Sequence, residues 1–358
     1  MRESNRLADP SIPPAVPTAN ELLTRIDAMP GRPVLLVADL VADRFLSGSP
    51  KRISREAPVL ILRYEGERLL PGGGANAAAN VAALGGEPLT LGVVGDDASG
   101  RALLGEFATR GINASGILIR PGFQTPTKTR ILAGFAGGRK QQVVRFDQEQ
   151  ERELEARERA LLLAAAARFA ARTRVAVLSD YGYGAVEPGL VEPLRRLLPP
   201  DSTILCDSRF RLSEFRGLDG ATPNEEEAVA LAGTDLEEQG GSLVRGGMIL
   251  RSRLGARFLL ITRGSRGMAL FDEGGVAHVP VHGTEEVADV TGAGDTVIGT
   301  FALALAAGAS ALEAALLADY AGGIVVMKSG TATLSLAELR AAVIADPRPR
   351  EELRWARS

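Results

Sequence analysis

The chain reads as an α/β protein, with a mostly parallel sheet covered by helices on both faces and a small β element set apart from it. Three observations predict this. Short apolar runs of strand character alternate with stretches of helical period from about residue 32 onward, the pattern that builds parallel strands through helical crossovers. Two glycine-rich turns, GGGANA at 72–77 and GAGD at 292–295, each stand directly ahead of a helical stretch. Two extended regions, 59–70 and 127–149, interrupt the alternation with no helix between their arms.

Taken in order, residues 1–30 read as an irregular, proline-bearing lead-in with no apolar core of signal-peptide length, which argues against secretion. RPVLLVADL (32–40) is a buried strand, and GGGANAAANVAALGG (72–86) a glycine entry to an alanine-rich helix closed by glycine. LTLGVVGDD (89–97) is the next strand, RALLGEFATRG a helix, and 151–173 a helix with an acidic first turn. VAVLSD (175–180), LVEPLRRLLP, STILCDS, NEEEAVALAG and ARFLLITRG continue the alternation as far as the GAGD turn. One domain over 31–345 is expected, with a β lid drawn from about 44–71 and 120–149, the second part a hairpin around Gly137 and Gly138, and a tail at 346–358.

Composition narrows the function. With 41 basic and 44 acidic residues the net charge is −3, so no global field attracts nucleic acid or an anionic membrane. The apolar stretch ALLLAAAARFAA is too short to span a bilayer and is broken by Arg168, and a cytoplasmic protein is expected. Cys206, the single cysteine, excludes a disulfide framework and a cysteine-rich zinc site. The only histidines, His278 and His282, sit in HVPVH, where strand packing is the plain reading, and they leave a Ser-His-Asp triad little to draw on.

The GAGD turn carries the sharpest chemistry. Val297, Ile298, Phe301 and Leu305 share one helical face, so a buried helix begins near Gly292 or Ala293. Its first N–H groups are unpaired, and Gly292, Ala293 and Gly294 leave them bare to an anion such as phosphate. Asp295 reads as a cap residue or as a base, and the stretch alone leaves both open. No GxxxxGK[ST] occurs, which excludes a P-loop. Gly72, Gly74 and Ala77 imitate a dinucleotide fingerprint, with Asp96 and Asp97 about 20 residues later, but the charged EGERLLP ahead of them is no central strand.

These residues carry a resemblance. PGGGANAAANVAALGG resembles the first signature, and DVTGAGDTVIGTF the second, of the ribokinase-like (PfkB) carbohydrate kinases, over roughly residues 32–340. SGSPKRISREAPVLIL, TPTKTRILAGFAGGRKQQVVRFDQE, LSDYGYG and ADYAGGIVVMKSGTATLSLAEL further resemble those members that phosphorylate D-glycero-β-D-manno-heptose 7-phosphate at O1. The resemblance implies a three-layer α/β/α sandwich with a β lid, ATP and Mg²⁺ as cofactors, K⁺ in some members, a sugar phosphate as substrate, and a homodimer through the lid. In many bacteria that kinase is fused to a nucleotidyltransferase, which this chain is too short to include, so the monofunctional form is expected.

Carried over residue by residue, the pattern implies Asp295 as the base and Gly292, Ala293 and Gly294 as the anion hole. Asp39, Asp43, Gly72, Gly73, Asn76 and Asp180 would bind the sugar, with a turn and cap as the plain reading of the first five. Lys128, Arg130 and Arg145, with Arg139 and Lys140, would supply cations for a sugar phosphate, Lys128 and Arg130 converging on one face of a strand. Asn224 and Glu227 would orient Mg²⁺ through water, while Glu225 and Glu226 read as solvated charges. Thr262, Arg263, Gly264 and Gly267 would contact the nucleotide, and Asp289 and Thr291 a monovalent cation. Four departures bear on the substrate: Tyr183 and Arg209 stand where the heptose kinases show lysine and a proline-lysine pair, Ala38 replaces a glycine, and Gly74 an alanine. A non-catalytic nucleotide or sugar sensor on the same fold is the alternative of another class, and the retained GAGD turn argues against it.

Overall fold

The strands follow the alternation of apolar residues. The computed structural model describes residues 16–135, 140–233, 242–283, 288–346 and 354–356. In chain order the elements begin with α1 (Ala19–Asp27), β1 (Pro33–Ala38), β2 (Leu40–Ile53), β3 (Leu60–Gly73), α2 (Gly74–Ala83), β4 (Glu87–Gly95), α3 (Ala98–Thr109) and β5 (Asn113–Arg120). There follow β6 (Thr127–Ala133), β7 (Gln141–Gln148), α4 (Ala156–Ala170), β8 (Val175–Asp180), α5 (Val191–Leu197), β9 (Thr203–Ser208), β10 (Gly220–Ala221) and α6 (Glu225–Ala232). The last are α7 (Ser242–Leu254), β11 (Phe258–Thr262), β12 (Met268–Asp272), β13 (Gly275–Val279), α8 (Ala293–Ala306), α9 (Ala311–Val326), α10 (Leu336–Ala345) and β14 (Arg354–Ala356).

Ten strands form the main sheet in the order β14-β13-β12-β11-β10-β9-β8-β1-β4-β5. It is parallel from β5 to β11 and antiparallel through β12, β13 and β14. Strand periodicity divides its side chains between two cores. Val34, Leu36 and Ala38 join one with α2, α8 and α9, while Leu35 and Val37 join the other with α4, α5 and α7. This is the three-layer sandwich expected from the alternation. No helix among the described residues is long and apolar enough to cross a membrane.

The second sheet, ordered β3-β2-β6-β7, is the lid. Its β6–β7 hairpin is antiparallel; the tip at Gly137 and Gly138, and Arg139 with it, lie outside the described residues. At one seam the lid joins the main sheet with almost no linker: β1 passes into β2 through Asp39 alone and β3 runs straight into α2 at Gly73. Strand β2 is the element that sequence reading does not find: its outer half, SGSPKRI, is polar and carries irregularities beside Ser47 and Pro50.

Three other boundaries are corrected. The lead-in holds α1, closed by a capping box of Thr18 and Glu21, with Leu22 and Ile26 buried one helical turn apart. Helix α4 starts at Ala156, not 151, because Glu155 and Glu158 build its capping box there. The tail contributes β14, paired with β13.

Candidate functional site

The C-terminal ends of β1, β8, β9 and β11 meet the start of α8 and the roots of the lid, where ligands bind in open α/β sheets. Gly292 is the N-cap of α8 and takes a left-handed conformation, φ 78°; a side chain there would strike the Asn76 amide. The Asp295 carboxylate caps nothing. Its Oδ1 accepts from the Tyr181 hydroxyl at 2.6 Å and its Oδ2 from Asn76 Nδ2 at 3.2 Å. Asn76 also donates to the Gly292 carbonyl, and Asn80 fixes the Asn76 amide by donating to its Oδ1. Burial pushes Asp295 up to about 7, against the lowering effect of its two donors.

The helix mouth differs from expectation in one group. The Ala293 N–H donates to the Val290 carbonyl at 3.2 Å, whereas no hydrogen bond among the described residues takes the N–H of Gly292, Gly294 or Asp295. A Cβ on Gly294 would meet nothing within 4 Å, so the space above these donors is open. The chain's own groups thus fit a phosphate there.

Two of the aspartates expected to bind sugar are hydrogen-bonded within the chain. Asp39 is 1% exposed, and its carboxylate accepts the N–H groups of Tyr181, Tyr183 and Ala185 at 2.8–2.9 Å. Burial still raises it to about 6, with Asp180 adding repulsion. It pins the loop after β8. Asp180 accepts from Ser208 Oγ at 2.7 Å, from Arg211 at 2.9 Å and from the Gly182 N–H, tying β8 to β9.

Asp43 forms a buried ion pair with Arg130, and burial raises its pKa despite that partner. Gly72 makes room for it, since a Cβ there would lie 2.5 Å from Asp43 Oδ2. Strand register then lays out two transverse rows on this face of the lid. Leu70, Asp43, Lys128 and Asp147 are opposed across the four strands, and one step outward come Arg68, Phe45, Arg130 and Arg145. Lys128 lies 3.6 Å from Glu149 and Arg145 3.0 Å from Asp147; Lys140 pairs with Glu65. Arg68 lies over the Phe45 ring, 5.6 Å from its centroid, with no carboxylate partner among the described residues. Sequence reading missed Arg68 because its place opposite Phe45 depends on the unread strand β2.

The departures acquire causes. Tyr183 donates to Glu149 and its ring lies 5.9 Å below the Lys128 ammonium, so the wall that would carry a lysine carries a phenol instead. Ala38 and Gly74 are one change: a Cβ on Gly74 would collide with the Ala38 methyl, so a methyl on β1 replaces one on α2.

On the opposite side of Asp295, Asn224 and Glu227 close a reciprocal capping box that leaves Glu227 Oε1 spare, and burial raises the Glu227 pKa. Asp207, at the end of β9, is raised well above the carboxylate range by burial and by Glu227 and Asp295. Its position at a parallel strand end is the signal that could have singled it out. No cluster of three His, Cys, Asp or Glu among the described residues could hold a metal, yet one carboxylate plus phosphates and water suits Mg²⁺. Arg263 is buried and pairs with Glu225 at 3.2 Å, as does Arg266, so Glu225 is a bracing residue and not a solvated charge. Thr262 bridges to Asn224; Gly264 and Gly267 take positive φ. The Asp289 carboxylate accepts the N–H groups of Thr291 and Gly330, which outweigh burial and hold it below the usual range. A cavity of about 450 Å³, lined by Arg159, Gly184, Glu187, Arg211 and Glu214, contains none of the groups around Asp295.

Comparison with known proteins places this geometry. The model of the pfkB family carbohydrate kinases matches residues 45–185 and 203–338. The Bifunctional protein HldE of Azorhizobium caulinodans is 38% identical over 316 residues, 87% of this chain and 64% of that protein. Its namesake from Nitrosococcus oceani is 41% identical over 317 residues, 87% and 63% respectively. The chain thus matches less than two thirds of these relatives. In three dimensions, phosphofructokinase-2 from Escherichia coli, in complex with substrates and products, aligns with a TM-score of 0.70 at 19% identity over 87% of this chain and 98% of that one. Arabidopsis thaliana ribokinase, complexed with ribose and ATP, aligns at 0.65 and 20% identity over 88% and 98%. These two likenesses establish the ribokinase-like fold.

Proposed function

The chain belongs to the PfkB family of carbohydrate kinases, ATP-dependent phosphotransferases that act on a sugar hydroxyl, and from that premise we propose that its acceptor is O1 of D-glycero-β-D-manno-heptose 7-phosphate. The observation that carries this reading is the pair of rows on the lid. Asp43 and Lys128 lie near Asp295 in its electrostatic surroundings, and the row of Arg68, Arg130 and Arg145 lies one strand step, about 7 Å, farther out. A sugar whose reacting hydroxyl meets Asp295 would therefore present a distal phosphate to arginines, the side chains best suited to grip it.

In this reading Asp295 takes the proton of the acceptor hydroxyl as that oxygen bonds to the γ-phosphorus and the bond to the β,γ-bridging oxygen breaks, releasing ADP. The N–H groups of Gly292, Gly294 and Asp295 receive the charge on the transferring group, Ala293 serving the turn. Mg²⁺ would screen the phosphates, with Glu227 and Asn224 holding its waters. Thr262, Gly264 and Gly267 border the nucleotide, while Arg263 braces that turn. A monovalent cation such as K⁺ would be held at the turn of Asp289 and Thr291. Exposed Tyr64, Val144 and Phe146 make the lid a homodimer surface; a monomer by equilibrium sedimentation at micromolar concentration removes that assignment.

Tyr183 and Arg209 favour a second reading, a kinase of another sugar phosphate. ATP consumption with Mg²⁺ across heptose 7-phosphate, the unphosphorylated heptose, fructose 6-phosphate, ribose and adenosine separates the two. Turnover confined to the heptose phosphate is expected. Turnover with another member moves the substrate, and silence with ATP still bound returns the sensor.

A further inference from the structure

We propose that Tyr181 is a positioning residue for the phosphoryl-transfer step, its hydroxyl holding the Asp295 carboxylate in the orientation that meets the acceptor. The proposal rests on the reading of Asp295 as the base. Three independent contacts fix the tyrosine. Its backbone N–H is one of the three held by Asp39, its ring lies against the bare α-carbon of Gly73, where a Cβ would come within 3.3 Å of Tyr181 Cε2, and its hydroxyl donates to Asp295 Oδ1 at 2.6 Å. With Asn76 on Oδ2, each carboxylate oxygen carries one donor from a different element. The plane of the carboxylate is thus set, and each oxygen keeps a lone pair for the acceptor proton.

The same hydrogen bond acts on the charge. Around Asp295 stand Asp43 from β2, Lys128 from β6, Asp207 from β9, Asn76 from α2 and Tyr181. Burial raises the base, Asp43 raises it further, and Tyr181 is the stronger of its two hydrogen-bonding donors in lowering it. The phenol is pushed well above its ordinary value by burial and by Asp295, so it remains a donor throughout the cycle.

The test reads the carboxyl directly. The side-chain carbon of Asp295 is followed by NMR against pH in the wild-type chain and in Tyr181→Phe, with Asp295→Asn identifying the resonance. Removing one donor to a charged group should raise the titration midpoint by about one pH unit. The acid limb of kcat/KM, measured with the acceptor that turns over, should move with it, giving about a tenfold loss below the limb and little change above it. A structural role alone would lower the profile uniformly. Replacement of Tyr181 by 3-fluorotyrosine, a more acidic donor that keeps the ring, should move the midpoint the other way and serves if the phenylalanine variant does not fold. A midpoint unmoved in both variants overturns the proposal. A shifted midpoint together with near-normal turnover in Asp295→Asn overturns the base assignment instead, and with it the catalytic meaning of the contact.

Discussion

The start of α8 and the inner face of the lid serve one reaction by opposite means. The Asp295 carboxylate is buried and matched: two donors hold its oxygens, a third side chain fixes one of the donors, and Gly292 stands where a side chain would collide. On the lid, cations stand in register rows whose middle members, Lys128 and Arg130, are buried and whose ends, Arg68 and Arg145, are exposed. The difference shows where substitution can be tolerated. A buried network loses its function when one member changes, whereas an open row can exchange one cation for another and so change its ligand.

The largest expected effect breaks the buried side. Asp295→Asn should keep ATP binding, read by calorimetry, and lower turnover by about 10² or more, as removal of a general base does. Because the active form is the carboxylate and burial sets its pKa at about 7, kcat/KM of the unaltered chain should be full well above pH 7 and fall about tenfold per unit below it.

A smaller effect tests whether the seam is matched as closely as the base. Gly74→Ala places a methyl on that of Ala38 and should cost about 1–3 kcal/mol, the range for overpacking a core. Ala38→Gly in the same chain should recover most of it, read as denaturation midpoints in a double-mutant cycle. Additive losses would show the two departures to be independent.

The smallest effect falls on the lid. Arg68→Gln should raise KM for a phosphorylated acceptor by about tenfold, the worth of one charge-assisted hydrogen bond, and leave the unphosphorylated analogue unchanged. Equal effects on both would remove the phosphate from this row.

Local pattern made the framework legible. The period of Val297, Ile298, Phe301 and Leu305 put the start of α8 near Gly292 or Ala293, where the helix begins, and the apolar run VAVLSD read as the strand that the fold buries at every position. What stayed illegible depends on contacts between distant residues. Tyr181 and Asp295 are 114 positions apart, and nothing in LSDYGYG says that its tyrosine faces the GAGD aspartate. Asp39 and Asp180 look like ligands because short carboxylates at strand ends often are; only the fold shows the backbone N–H groups that Asp39 accepts and the Ser208 hydroxyl and Arg211 guanidinium that Asp180 accepts. Strand β2 escaped because its polar outer half, SGSPKRI, has no apolar alternation to read, and with it went the place of Arg68.

The seam at Asp39 has a mechanical meaning. This one residue donates its N–H to Ser179 on β8, accepts the Gly74 N–H at the start of α2, and grips the 181–185 loop with its carboxylate. It is also the whole of the connection between β1 and the lid. Any tilt of the lid about this residue would therefore load the same carboxylate that holds the Tyr181 N–H.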